Sequence, residues 1–77
     1  MAKVRFTGYK DGLQKVSLTK LFRNEANQPL DIAKGKTDRL LDGDSFDVEF
    51  ETVEQARLFV EKATALGAIC RIVIKDD

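Results

Sequence analysis

The sequence predicts an α+β fold, a two-layer sandwich in which three helices cover one face of a three-stranded sheet in the order β-α-α-β-α-β. Two segments alternate apolar with polar residues, the period of a half-buried strand, and a third apolar stretch lies near the end. Between them, apolar residues recur at helical spacing in three places. A sheet with one apolar face needs a cover, and amphipathic helices supply it.

The strands are recognised by their alternation. The first is predicted near the N terminus, from the run Lys3, Val4, Arg5, Phe6 and Thr7. The second has one packed and one wet face, with Phe46, Val48 and Phe50 set against Asp47, Glu49 and Glu51. The third is predicted over 68–75, with an inward face of Cys70, Ile72 and Ile74.

Helical periodicity begins at about Lys15. The first helix places Leu18, Leu21 and Phe22 on one side, and Lys15, Thr19 and Arg23 on another. Pro29 suits the first position of a second helix, because its missing N–H is no loss there. The core-facing stripe of that helix is predicted to be Leu30, Ala33, Thr37, Leu40 and Leu41, and the turn Asp42-Gly43-Asp44 ends it.

The third helix has recognisable ends. Thr52 and Gln55 have the spacing of a capping box. Gly67 is a suitable residue to end the helix. Its buried face is predicted to consist of Val53, Ala56, Phe59, Val60 and Ala63.

Length and composition predict a single domain over residues 1–77. Such a chain buries about 60–65% of its unfolded surface, and 34% charged with 43% hydrophobic residues argues against disorder. No apolar run approaches the roughly 20 residues that cross a bilayer, and the charged start does not resemble a signal peptide. Without such a run, we expect no membrane partner. One cysteine forms no internal disulfide, so we expect a cytoplasmic protein.

Charge is distributed unevenly along the chain. Residues 1–40 contain nine Lys or Arg against four Asp or Glu, and residues 41–77 contain four against nine. This asymmetry predicts either two surfaces of opposite sign or charges that balance one another inside the fold.

The chemical motifs in the sequence are incomplete. Gly35-Lys36-Thr37 resembles the end of a phosphate-binding loop, but Leu30 occupies the place of the required glycine and the tripeptide lies within a predicted helix. Asp42, Asp44 and Asp47 lack the spacing of a calcium loop. The chain has no histidine, and Cys70 alternates with isoleucines as a core residue would. We therefore expect no catalytic residues, no metal and no cofactor, and a protein that is not an enzyme.

The first helix contains the residues that indicate a function. Val16 is predicted to be exposed among Lys15, Lys20 and Arg23, and Lys34 and Lys36 extend this basic face if the first two helices lie side by side. An apolar residue ringed by cations suits protein docking, because the charges steer the encounter and the apolar atoms supply dry contact. The alternative is an ordinary solvated helix face.

Gly35 is a separate anomaly. Glycine inside a helix costs about 0.5–1 kcal/mol relative to alanine. It either permits the close approach of another backbone or is a tolerated weak point.

The run from Lys15 to Arg23, followed by Leu30-Asp31-Ile32-Ala33-Lys34, resembles the C-terminal domain of ribosomal stalk protein L7/L12. Ala56 and the segment Ala65-Leu66-Gly67-Ala68 are similar as well, so the resemblance spans nearly the whole chain. It implies the same β-α-α-β-α-β fold, which the bacterial N-end-rule protease adaptor ClpS shares. In the stalk family this domain recruits translational GTPases, which implies a partner-binding role for Lys15, Val16, Lys20, Arg23 and Lys34.

Several features depart from the stalk family. The family's N-terminal dimerisation domain and hinge are absent, residues 24–29 replace a glycine-rich turn, and Gly35 and Lys36 replace an acid and an apolar residue. The chain is therefore either an excised domain or a paralogue. The acidic Asn-Asp pair and the histidine of the adaptor are also missing.

The sequence is compatible with three functions. The first is a non-enzymatic protein-interaction module that docks a ribosome-associated or translational-GTPase partner through the basic face of the first two helices. The second is nucleic-acid binding through the same face, against which zero net charge and a lack of exposed aromatic residues count. The third is a protease adaptor of N-end-rule type.

Overall fold

The computed structural model describes residues 2–74 and confirms the predicted fold class and element order. The elements are β1 (Ala2–Tyr9), α1 (Lys15–Glu25), α2 (Leu30–Leu41), β2 (Phe46–Phe50), α3 (Val53–Ala65) and β3 (Ala68–Ile74). Lys75, the predicted last residue of the third strand, lies outside the described residues. Within the described part of the chain, no helix has the length and apolar character needed to cross a membrane.

The sheet is antiparallel, with β1 in the centre and β2 and β3 on either side. Val4 of β1 lies opposite Val48 of β2 and Ile72 of β3. The pairing with β3 shifts register between Phe6 and Gly8. Because side chains alternate along each strand, one face of the sheet collects the apolar residues and meets the helices.

The core is an aromatic cluster that joins the sheet to the helices. All five phenylalanines are buried, with ring centroids of neighbouring pairs between 4.9 and 6.1 Å apart. Phe6 lies at its centre, 5.4 Å from Phe22 of α1, 5.2 Å from Phe46 of β2 and 5.9 Å from Phe59 of α3. Such pairs contribute about 0.5–1.5 kcal/mol beyond their buried area. The cluster therefore fixes α1 and α3 against the same strand.

Three predictions at helix starts are corrected by the structure. Pro29 is the N-cap of α2 and not its first helical residue. Leu30, predicted to face the core, is 45% exposed, and Val53 is 36% exposed. Each is the first residue of its helix. In both helices an alanine three residues later is buried, because the first turn extends past the edge of the packed layer.

The predicted ends of α3 are confirmed. The Thr52 hydroxyl accepts a hydrogen bond from the backbone N–H of Gln55 at 3.1 Å, as an N-cap should. At the other end, Gly67 has φ of +104°, in the left-handed region that follows many helices.

The turn at Gly67 also holds the segment that leads into α1. Lys10 N–H donates to the Gly67 carbonyl at 2.8 Å, and Gln14 N–H donates to the Leu66 carbonyl at 2.9 Å. A Cβ on Gly67 would lie 3.0 Å from the Leu13 Cα. The start of α1 is therefore set by backbone contact with the end of α3.

Charged pairs cross the face of the sheet that points away from the helices. Arg5 Nε and Nη2 donate to the two carboxylate oxygens of Asp47 at 2.9 and 3.3 Å, and Lys3 Nζ lies 3.5 Å from Glu49. The hydrogen bonds from the Arg5 guanidinium lower the pKa of the Asp47 carboxyl below its ordinary value of 3.8.

We expect Gly67→Ala to lower the free energy of unfolding by about 2–4 kcal/mol, because it combines left-handed backbone with overlap against Leu13. Gly12→Ala is the matched control, since Gly12 also has positive φ but an added Cβ meets nothing within 4 Å. Its cost should stay near 1–2 kcal/mol. Urea unfolding of both variants tests this, and equal losses would contradict it.

We expect Asp47→Asn to lose stability at neutral pH and to converge with the wild type in acid. A lowered carboxyl pKa in the folded state means that the stabilisation is complete above the unfolded-state pKa of about 3.8 and is lost as pH falls through the lower folded value. Urea unfolding at a series of pH values measures the difference. Glu51→Gln, at an exposed position outside the described ion pairs, is the control. A difference independent of pH would show that the ion pair is not responsible.

Candidate functional site

The helices α1 and α2 lie side by side and share a polar seam. α1 buries Leu18, Leu21 and Phe22, whereas α2 buries Ala33, Thr37 and Leu40. Between them, the hydroxyl oxygens of Thr19 and Thr37 are 2.9 Å apart. Thr37 is only 3% exposed, so this contact lies at the floor of the groove between the helices.

The two hydroxyl groups make three contacts within hydrogen-bond distance but have only two protons to donate. The Thr19 hydroxyl lies 3.0 Å from the Lys15 carbonyl, and the Thr37 hydroxyl lies 3.2 Å from the Ala33 carbonyl. Each threonine has one hydroxyl proton. Two protons therefore serve three contacts, and a hydrogen bond across the seam releases one of the carbonyl bonds within a helix.

The outward face of α1 carries the predicted ridge. Val16, Lys20 and Arg23 are four and three residues apart, the spacing that places side chains on one helix face. All three are exposed, and Val16 is exposed by 70%, which confirms its predicted position. No buried residue of α1 lies on this face, because Leu18, Leu21 and Phe22 point to the core.

The five predicted site residues are all exposed on α1 and α2, but they do not line one cavity. Lys15, Val16 and Lys34 line the α1–α2 groove, of about 190 Å³, together with Thr19, Thr37, Asp38 and Leu41. Lys20 lines a different groove of about 340 Å³ between α1 and α3, and Arg23 lines neither of these grooves. We call Lys15, Val16, Lys20, Arg23 and Lys34 the α1–α2 surface.

The cations of this surface differ from four other cations of the chain in their ion pairing. Lys3, Arg5, Arg39 and Lys62 each pair with a carboxylate. Within residues 2–74, the cations of the α1–α2 surface take part in no ion pair. Among the residues that line the α1–α2 groove, Asp38 is the one with a carboxylate.

These ion pairs also show how the charges of the basic half, residues 1–40, relate to those of the acidic half, residues 41–77. Every one of the four ion pairs joins a residue of 1–40 to a residue of 41–77. In three of them the cation comes from the basic half. Internal balancing therefore accounts for part of the asymmetry, and the α1–α2 surface holds four further cations of the basic half.

Sequence reasoning did not find two features of the site. The bond between Thr19 and Thr37 depends on how two helices pack, and the pattern assigned one threonine to a polar ridge and the other to the core. The α1–α3 groove has an apolar floor from Leu21 and Leu66, and a Lys62–Glu25 ion pair spans it. Neither Lys62 nor Leu66 carries a sequence signal of this role.

Two of the sites considered for chemistry lie within regular elements, residues 35–37 in α2 and Cys70 in β3. Gly35, Lys36 and Thr37 lie inside α2, where the Thr37 hydroxyl points into the seam. Burial raises the pKa of the Cys70 thiol, whose sulfur lies 4.0 Å from the Thr64 hydroxyl. Over residues 2–74, no three or more side chains of the metal-binding types come together.

Comparison with protein-family models and with curated proteins finds no match to this chain. What distinguishes the α1–α2 surface is therefore its own chemistry. It combines a large exposed apolar side chain with cations that have no described carboxylate partner.

We expect Thr19→Val and Thr37→Val to be coupled by about 0.5–1 kcal/mol in a double-mutant cycle, the size of one hydroxyl hydrogen bond. Each single change should cost little, since the remaining hydroxyl retains its carbonyl acceptor. Urea unfolding of the four proteins gives the coupling. A parallel cycle of Thr37→Val with Thr64→Val on α3 should be additive within about 0.3 kcal/mol. Equal coupling in both cycles would exclude a specific bond across the seam.

Proposed function

We propose that this protein is a non-enzymatic interaction module that docks a partner protein through the α1–α2 surface. The observation that carries the proposal is Val16, 70% exposed on the helix face that carries Lys20 and Arg23, two cations that form no ion pair within residues 2–74. Exposed apolar side chains are common singly. An exposed valine on the same face as cations without an ion pair is an arrangement that a docking surface uses.

The two kinds of residue contribute differently to binding. Lys15, Lys20, Arg23 and Lys34 accelerate encounter with an acidic surface and orient it. Val16 then contributes apolar area that becomes buried on contact. The surface needs little rearrangement, because α1 is held at its start by the turn at Gly67 and along its length by the aromatic core.

The partner is proposed to be an acidic protein associated with the ribosome or a translational GTPase. The physical part of this proposal, an acidic partner, rests on the charge of the surface. The biological part rests on the resemblance of residues 15–34 to the ribosomal stalk domain, in which the corresponding helices recruit translational GTPases.

Nucleic acid is the second candidate, and one observation favours it. Tyr9 is 41% exposed and its hydroxyl donates to the Leu41 carbonyl at 3.3 Å, beside the α1–α2 groove. This corrects the expectation that the chain lacks an exposed aromatic residue. Because an aromatic ring beside cations can stack on a base, RNA and DNA belong in the test.

We expect Lys20→Glu combined with Arg23→Glu to weaken partner binding by at least about tenfold, through repulsion of an acidic partner. The matched control is Lys10→Glu with Arg57→Glu, which makes the same change in charge at exposed positions that line neither groove. Both variants should retain the unfolding free energy within about 0.5 kcal/mol.

The measurement is quantitative capture from a lysate of the source organism with each immobilised protein. Direct binding to purified ribosomes, to translational GTPases and to RNA and DNA oligonucleotides then follows. Proteins captured by the wild type and the control, but lost with Lys20→Glu/Arg23→Glu, support the proposal. Equal capture by all three proteins would refute it, and tight salt-sensitive binding of oligonucleotides without a captured protein would favour the second candidate.

A further inference from the structure

β3 lies at one edge of the sheet, but its sequence is typical of a strand that is covered. It pairs with β1 on one side and, within residues 2–74, with no strand on the other side, which we call the β3 edge. Six of its seven residues are apolar, and Arg71 is the exception. A nearly continuous apolar run is common in strands that are buried on both faces.

The strand at the opposite edge has the features that keep an edge unpaired. β2 is five residues long and places Asp47 and Glu49 between its apolar residues. Short length and charged side chains are the means by which natural sheets prevent an edge from accepting another strand. β3 is longer, with seven residues, and carries a single charge. The two edges of the same sheet therefore differ in how well they are protected.

The side chains of β3 are incompletely covered on both faces of the sheet. On the face that meets the helices, Cys70 and Ile72 are half-buried, whereas the three inward residues of β2 are each at most 7% exposed. On the face away from the helices, the open face, Ile69 is 44% exposed and Val73 is half-buried. A strand beside β3 would cover both sets at once, because its side chains alternate between the same two faces.

The backbone of the β3 edge determines the shape of a ligand. In an antiparallel sheet, every second residue of an edge strand directs its N–H and C=O away from the neighbouring strand. About three residues of β3 therefore offer both groups in a row along this edge. An extended segment satisfies such a row in series, as in the recognition mode that adds a strand to a sheet.

Arg71 distinguishes one occupant from another. On the open face it lies opposite Arg5, whose guanidinium is bonded to Asp47 of β2. Within residues 2–74, Arg71 takes part in no ion pair. A strand at the β3 edge would place a side chain next to Arg71, where a carboxylate is favoured and a second cation is disfavoured. β3 contains no carboxylate, so a second copy paired through β3 would supply none at this position.

We propose that the β3 edge accepts an extended segment of a partner protein as a fourth strand of the sheet. An Asp or Glu of the segment lies beside Arg71 on the open face, and its neighbours on both sides are apolar residues that cover Ile69, Cys70, Ile72 and Val73. No residue of the α1–α2 surface belongs to β3, so this is a second binding site, and the inference does not depend on the proposed function.

The test begins with selection from a displayed library of random ten-residue peptides on the full chain. We expect enrichment of peptides with one Asp or Glu inside a run of apolar, largely β-branched residues. The affinity of a synthetic selected peptide is then measured for the wild type, Arg71→Gln and Arg71→Glu. Arg57→Glu is the matched control, because it makes the same change in charge at an exposed position on α3.

Arg71→Glu should weaken the peptide by about tenfold, since an attractive cross-strand pair becomes a repulsive one, and Arg71→Gln should weaken it less. A peptide with Lys in place of its acid should show the reverse order and bind Arg71→Glu more tightly than the wild type. Arg57→Glu should bind both peptides as the wild type does. All three variants should keep the melting temperature within about 3 °C, because the changed side chains are exposed.

Amide hydrogen exchange tests the backbone part of the proposal. The bound peptide should slow exchange by at least about tenfold at alternate residues of β3, because a new ladder of hydrogen bonds protects them. Amides of β2 should be unchanged. Peptides that are N-methylated at every second residue should lose binding in one of the two phases and retain it in the other.

Four results would overturn the inference: no enriched peptide, equal affinity for the wild type and Arg71→Glu, unchanged exchange in β3, or tolerance of N-methylation in both phases. A free protein that sediments as a dimer with protected β3 amides would make a second copy the occupant, and this also contradicts the proposal. The proposed function fails separately, when captured proteins are indifferent to Lys20→Glu/Arg23→Glu. The two failures are therefore read from different variants and different ligands.

Discussion

The packing of Phe6 against the other aromatic rings is the interaction on which the rest of the structure depends. From the central strand, Phe6 contacts rings on β2, α1 and α3, so one side chain relates both layers of the domain. A chain of 77 residues has a small core, and all five of its phenylalanines are buried in it. Because α1 contributes Phe22 to this cluster, the opposite face of α1 must point outward. The exposure of Val16, Lys20 and Arg23 is a consequence of core packing.

The charged residues divide into two groups with different roles. One group crosses the outer face of the sheet and links the halves of the chain, as in the Arg5–Asp47 pair. Exposed pairs of this kind contribute little to stability, commonly below 1 kcal/mol, but they neutralise charge locally. The second group, the four cations of the α1–α2 surface, takes part in no ion pair within residues 2–74. A neutral protein can therefore present a basic surface, because neutralisation is confined to other parts of the fold.

The helix pair combines a polar seam with an open outer side. Thr19 and Thr37 join α1 to α2 by a hydroxyl contact at 2.9 Å, where a purely apolar seam would pack without directional bonds. On the outer side of α2, Gly35 interrupts the row of side chains and leaves backbone accessible. The hydroxyl contact helps to fix the position of α1 relative to α2. The second feature, at Gly35, has no such use inside the described chain.

Sequence periodicity alone determined the three strands, the three helices and the direction of their apolar faces, because alternation and helical spacing report directly which side of an element is buried. It also placed Val16, Lys20 and Arg23 together, since residues within one helix have a fixed relation. Leu30 and Val53 were assigned wrongly, because periodicity does not show where a packed layer ends. Only the tertiary structure decided which cations are paired, that Lys20 and Lys34 border different grooves, and that Gly35 faces open space. Those properties depend on distances between elements far apart in the chain, which no local pattern encodes.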